Sequence, residues 1–165
     1  MTSPRCFFIG ILSSTENRKI AYGFWLTEAS ERQVAMAYKE YNPNPVGRKV
    51  GDCAVRAVSK ALGMGWEASY IALTINGLSM GDMPSSNVVS GAVLRQHGFR
   101  RKVIPDTCPS CYTVRDFAED NPEGTYVLYC DGHVVTVDSG DWWDSWDSSA
   151  EVPQYVWYRT SEDDH

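Results

Sequence analysis

A change of period at Gly124 narrows the fold more than any other feature of the chain. Between residues 52 and 97 apolar residues recur every three or four positions, as Val55, Val58 and Leu62 do, which is the spacing of helices that bury one face. Beyond it, residues 125–130, 133–138, 141–146 and 155–158 read as strands, and Ser139-Gly140 reads as a two-residue hairpin turn. A block of helices followed by a block of strands predicts an α+β domain.

Local signals divide the helical block. Asp52 is placed to cap a helix that opens at Cys53 and ends at Gly63. A second helix is expected over 66–75, and a third from 86 or 87 to 97, closed by Gly98. Thr113 with Asp116 three residues on predicts a capping box for a short helix that stops before Pro122. Ahead of them, Tyr41-Asn42-Pro43-Asn44-Pro45-Val46-Gly47 can be neither helix nor central strand, because its prolines remove donors and its glycine loosens the backbone. Residues 1–41 read as a separate extension, a hairpin (6–12 and 20–26) followed by a helix over 28–41. Residues 42–160 then form the main domain and 161–165 a polar tail.

The chain of 165 residues is 43% hydrophobic and 12% aromatic, enough for one core. No apolar run approaches the ~20 residues of a membrane span, and the run at 6–12 lacks the flanks of a secretory leader. Five cysteines, an odd number at irregular spacing, do not form the framework of a disulfide-stapled secreted domain, which points to a reducing cytoplasm. Within a net charge of −6, residues 106–165 carry 14 acidic and 2 basic side chains, which argues against nucleic acid as a partner.

The chemistry is expected at Cys53. A thiol in the first turn of a helix meets unpaired N–H groups and the positive end of the dipole, and both favour the thiolate. Its base is His133, because His97 falls at a helix end and His165 in the tail, whereas His133 opens a strand. An acid must orient that imidazole. With a two-residue turn at Ser139-Gly140, Asp144 shares the face of His133 and Asp147 does not; a three-residue turn would shift the register and give the role to Asp147. Trp142 and Trp146 are candidates to line a substrate groove, with Trp143 pointing the other way.

Four stretches carry a family resemblance: Gly51-Asp52-Cys53-Ala54-Val55-Arg56-Ala57, Leu94-Arg95-Gln96-His97-Gly98-Phe99, Gly124-Thr125-Tyr126-Val127-Leu128 and Gly132-His133-Val134-Val135. Over about residues 42–159 they resemble small papain-like cysteine peptidases of bacteria and phages, related in pattern to the bacteriocin-processing peptidases. The resemblance implies a helix carrying the nucleophile, packed on an antiparallel sheet that carries His and Asp. It also implies a Cys-His-Asp hydrolase of peptide or isopeptide bonds with a peptide or protein substrate and no metal or organic cofactor. Such peptidases usually carry a Gln about six residues before the Cys, where this chain has Gly47; Asn44 and the Cys53 N–H are the candidate oxyanion donors.

Two other readings remain open. A catalytically silent papain-like module that binds a partner protein, phage or mobile-element encoded, would account for the missing Gln. Cys108-Pro109-Ser110-Cys111 has the spacing of a redox motif or a zinc half-site, yet no second CxxC accompanies it, and reduced thiols in a packed loop are the simpler account.

Overall fold

The computed structural model describes residues 36–107 and 109–159, and the compact unit begins at Met36. The hairpin expected over 6–26, most of the helix expected over 28–41, Cys108 and the polar tail lie outside the described residues. In chain order the elements are β1 (Tyr38–Glu40), α1 (Cys53–Leu62), α2 (Trp66–Met80), α3 (Asn87–Gln96), β2 (Arg100–Val103), α4 (Val114–Asp120), β3 (Thr125–Cys130), β4 (His133–Asp138), β5 (Asp141–Asp144) and β6 (Tyr155–Arg159). They build an α+β fold around a six-stranded mixed sheet in the order β1-β5-β4-β3-β6-β2.

Helix α1 is the centre of the unit. Every residue from Ala54 to Ala61 except Lys60 is buried, because Ala54, Ala57 and Ala61 are small enough to let neighbours approach on several sides. The Thr136 hydroxyl donates to the Ala57 carbonyl at 3.0 Å, tying the helix to β4. Val55 and Val58 of α1, Leu73 of α2 and Val89 and Val93 of α3 pack with Val127, Tyr129, Val134 and Trp157 on one face of the sheet. Val114, Phe117 and Ala118 of α4 cover Leu128, Val135, Val137, Trp142 and Val156 on the other. Consecutive strand residues point to opposite faces, so both faces are buried and the three layers follow.

The strand block matches the reading from sequence closely. Asp138 pairs with Asp141, Val137 with Trp142 and Thr136 with Trp143, the register that a two-residue turn dictates. Ser139 at φ 54° and Gly140 at φ 80° supply the two left-handed residues of such a turn. Strand β5 ends at Asp144, two residues earlier than expected. The capping box of α4 is present: Asp116 N–H donates to the Thr113 hydroxyl at 3.2 Å and Thr113 N–H to the Asp116 carboxylate at 2.8 Å.

Three expectations need correction. Residues 38–40 form a strand rather than the end of a helix, paired in parallel with β5, so the sheet is mixed and the unit starts before residue 42. Tyr38 and Met36 are drawn into that strand environment by packing against the second core cluster, which overrides helix propensity. Helix α2 runs past Ile75 to Met80 because Gly77 stays helical; a Cβ there would meet the Asp82 carbonyl oxygen at 2.7 Å, so the glycine serves the loop that folds back over it. Strand β2 went unread because its four residues are all exposed, at a sheet edge where no alternation marks a strand. No helix among the described residues is long and apolar enough to cross a membrane.

Gly91 sets the distance between α3 and the sheet. A Cβ on Gly91 would lie 2.7 Å from the buried Trp157 ring. In an open helix Gly→Ala stabilises by about 0.5–1 kcal/mol. Gly91→Ala is expected to do the reverse, lowering stability by about 1–3 kcal/mol through overpacking, read from the midpoint of urea unfolding.

Candidate active site

Asp52 occupies the N-cap position of α1, yet its side chain caps nothing. The carboxylate turns inward instead: one oxygen pairs with the Arg56 guanidinium one turn along, and the other accepts the Trp66 indole N–H at 2.9 Å. A buried carboxylate gains more from a buried cation than from one backbone amide, which corrects the expected capping role. The first-turn amides of α1 are left without a side-chain acceptor, directed toward the end that carries Cys53.

Cys53 is half-buried and hydrogen-bonded to His133. Burial pushes the thiol up, but the hydrogen bond to His133, the charge on its imidazole, the Val134 N–H and the Arg56 guanidinium together hold it below the ordinary thiol value. Burial likewise disfavours the charged His133, and the bonds to Asp144 and Cys53 outweigh it, raising the imidazole to about 9. Both shifts favour the thiolate–imidazolium form of the pair over the neutral one.

The imidazole is fixed from its far side. His133 Nε2–H donates to Asp144 Oδ2 at 2.5 Å, which leaves Nδ1 as the nitrogen turned to the thiol. Burial pushes Asp144 up, and the His133 hydrogen bond and charge, with the Ser145 N–H, bring it below the usual carboxylate range. Its second oxygen accepts from Ser145 N–H at 2.7 Å and Arg56 Nη2 at 3.4 Å. The Asp144 carbonyl is held as well, by Tyr41 N–H at 2.6 Å and the Tyr38 hydroxyl at 3.3 Å. Strand β1, which the sequence reading took for helix, thus clamps the residue that orients the base.

The other candidates separate. Asp147 accepts the Trp142 indole N–H at 2.9 Å and the Ser149 N–H at 3.1 Å, so it fastens the loop after β5 and does not meet His133. Trp146, 46% exposed, leans on His133 with ring centroids 5.1 Å apart and lines the thiol cavity. Trp142 does not line it; it is buried in the cluster under α4, as its place in β5 opposite Val137 requires. Trp143 covers Lys60, whose ammonium lies 3.9 Å from the ring centroid. Asn44 is also absent from the cavity wall, because its side-chain Oδ1 accepts from Val46 N–H and Arg48 N–H within its own turn.

The cavity over the thiol measures about 470 Å³ and is walled by Lys49, Val50, Gly51, Cys53, Arg56, Gly132, His133, Ser145 and Trp146. Sequence reasoning missed Arg56 as a member of the site. One signal was present: an arginine four residues after Asp52, on a helix whose other residues apart from Lys60 are small or apolar, is expected to be buried with a partner. His97 is elsewhere, its Nδ1 2.9 Å from the Val93 carbonyl oxygen. Among the described residues no group of three or more His, Cys, Asp or Glu is placed to hold a metal ion; Cys111 is exposed and Cys108 lies outside them. Comparison with known protein families, with curated proteins and with solved structures finds no match in any of the three.

The two aspartates separate in the pH dependence of Cys53 alkylation. Asp144→Asn removes the charge that keeps His133 protonated, so the thiol is expected to move up and alkylation at pH 6 to fall about tenfold or more. Asp147→Asn leaves that profile in place. Arg56→Met leaves two buried carboxylates without their shared cation and is expected to destabilise the fold by about 3–5 kcal/mol in urea unfolding.

Proposed function

We propose that the protein is a cysteine hydrolase of peptide or isopeptide bonds, on a papain-like arrangement in which α1 carries the nucleophile and β4 and β5 carry the base and its acid. One observation carries this reading: a half-buried thiol at a helix start is hydrogen-bonded to an imidazole whose other nitrogen is bound to a buried carboxylate. In the reaction the Cys53 thiolate attacks the carbonyl carbon and the electron pair moves to oxygen, where first-turn amides of α1 provide donors. As the tetrahedral intermediate collapses, the C–N bond breaks and His133 gives its proton to the departing amine. His133, now neutral, takes a proton from water as the hydroxide attacks the thioester, and the acid product leaves the Cys53–His133 pair as it began. Asp144 holds the imidazole in the tautomer both steps need.

A silent module that binds a partner protein is the second reading, and the position of Asn44 favours it. With Gly47 where a Gln is usual and Asn44 bound in its own turn, neither expected side-chain amide stands at the thiol. Losing one oxyanion donor lowers rates by about 10²–10³-fold, which slows such an enzyme without disabling the nucleophile.

Alkylation with iodoacetamide at pH 6, mapped by mass spectrometry, decides whether the nucleophile is live. Cys53 is expected to react well ahead of the exposed Cys111, and Cys53→Ala to lose the fast phase. Equal rates for the two thiols would sink the hydrolase reading. With a turned-over substrate the pH profile should be bell-shaped, its acid limb set by the lowered thiol and its alkaline limb near 9, where His133 loses the proton destined for the amine.

A further inference from the structure

Beside the thiol cavity lies a second one of about 430 Å³, and the two share the wall formed by Val50 and Gly51. Cys53 faces the first cavity, while its chain neighbours Asp52 and Ala54 line the second. The second cavity is mostly apolar: Val46, Val50, Val55, Trp66, Tyr70 and Met83 form its walls. Trp66 and Tyr70 stack with centroids 5.0 Å apart and planes 12° off parallel, giving it one flat aromatic side. Val46 at 74% exposure, Met83 at 68% and Tyr70 at 45% are costly to leave in water and are grouped around this opening.

We propose that this cavity is the specificity pocket of the hydrolase and takes a large neutral apolar side chain, such as Leu or Phe, from a substrate residue one or two positions from the bond cut at Cys53. The proposal rests on the hydrolase reading above. The shared Val50–Gly51 wall fixes the occupant, because a chain whose carbonyl sits at Cys53 passes the mouth of the second cavity within a residue or two. The lining fixes the chemistry. Its one acidic group, Asp52, is already paired with Arg56 and bonded by Trp66, so a basic side chain finds no free partner there; Arg48 is the one basic group on the wall, so an acidic side chain could pair with it only by giving up its hydration on a lining that is otherwise mostly apolar.

Peptidyl vinyl sulfones that carry Leu, Phe, Asp or Gly at the two positions on the acyl side test this, with iodoacetamide as a measure of thiol reactivity alone. Leu or Phe at one position is expected to speed modification of Cys53 about 10–100-fold over Asp. Met83→Asp and Val46→Asp, each normalised to its own iodoacetamide rate, should collapse that ratio. Rapid iodoacetamide alkylation of Cys53 with no side-chain preference, or a preference intact in both variants, overturns the pocket and leaves the hydrolase reading standing. A Cys53 inert to iodoacetamide as well overturns both.

Discussion

Arg56 is the constraint on which the rest of the site depends. Its guanidinium is buried between two buried carboxylates, Asp52 from its own helix and Asp144 from the end of β5. Carboxylates in such surroundings either find a cation or take up a proton, and a protonated Asp144 could not hold His133 as an imidazolium. Arg56 therefore adds a second cation beside an acid that His133 already holds below the usual carboxylate range. Because it lies three residues after Cys53, thiol and clamp project from neighbouring positions on one helix face, so the rotation of α1 that presents the thiol also presents the guanidinium to Asp144.

Asp144 is the meeting point of three elements that are distant in sequence. Arg56 reaches it from α1, His133 from β4, and Tyr38 and Tyr41 from β1 and the residue after it. The parallel pairing of β1 on β5 adds a strand to the edge that would otherwise end at the acid, and ties Asp144 through its main chain while its side chain works on the imidazole. Asp141 repeats the pattern at the other end of β5, accepting the Ala37 N–H at 2.8 Å and pairing with Lys39 at 3.4 Å. Both ends of β5 are thus secured by β1 and its flanking residues, independently of the contact between Asp144 and His133.

What could be read from the chain follows from how local each signal is. A two-residue turn sets a register by itself, so Ser139-Gly140 was enough to separate Asp144 from Asp147. A helix start is local too, which is why Cys53 was legible as the first residue of α1. Asn44 was misjudged because an asparagine side chain in a proline-rich turn has its own backbone amides within reach before any distant group. Trp142 was misjudged because alternation says which residues share a face, and says nothing about whether a helix covers that face; α4 does. Strand β1 lay beyond reach altogether, since a three-residue strand is defined by a partner about a hundred residues away.

In the proposed hydrolase, the placement of the reacting groups resolves a conflict between rigidity and access. Cys53 is the first residue of its helix, His133 the first of its strand and Asp144 the last of its own, so each stands at the end of an element where a substrate can approach. Each is also one residue from deep burial or backbone anchorage: Ala54 is 4% exposed, Val134 6%, and Asp144 is pinned by Tyr41 N–H. The buried neighbours carry the packing that holds the geometry. The terminal residues are left with first-turn amides, ring nitrogens and a carboxylate that regular hydrogen bonding has not consumed. Val134 links the two roles most directly, since its side chain packs into the core beneath α1 while its N–H points at the sulfur. A shift of β4 against α1 large enough to loosen the thiol would have to break that core contact first, so the stability of the fold and the alignment of the nucleophile rest on the same packing.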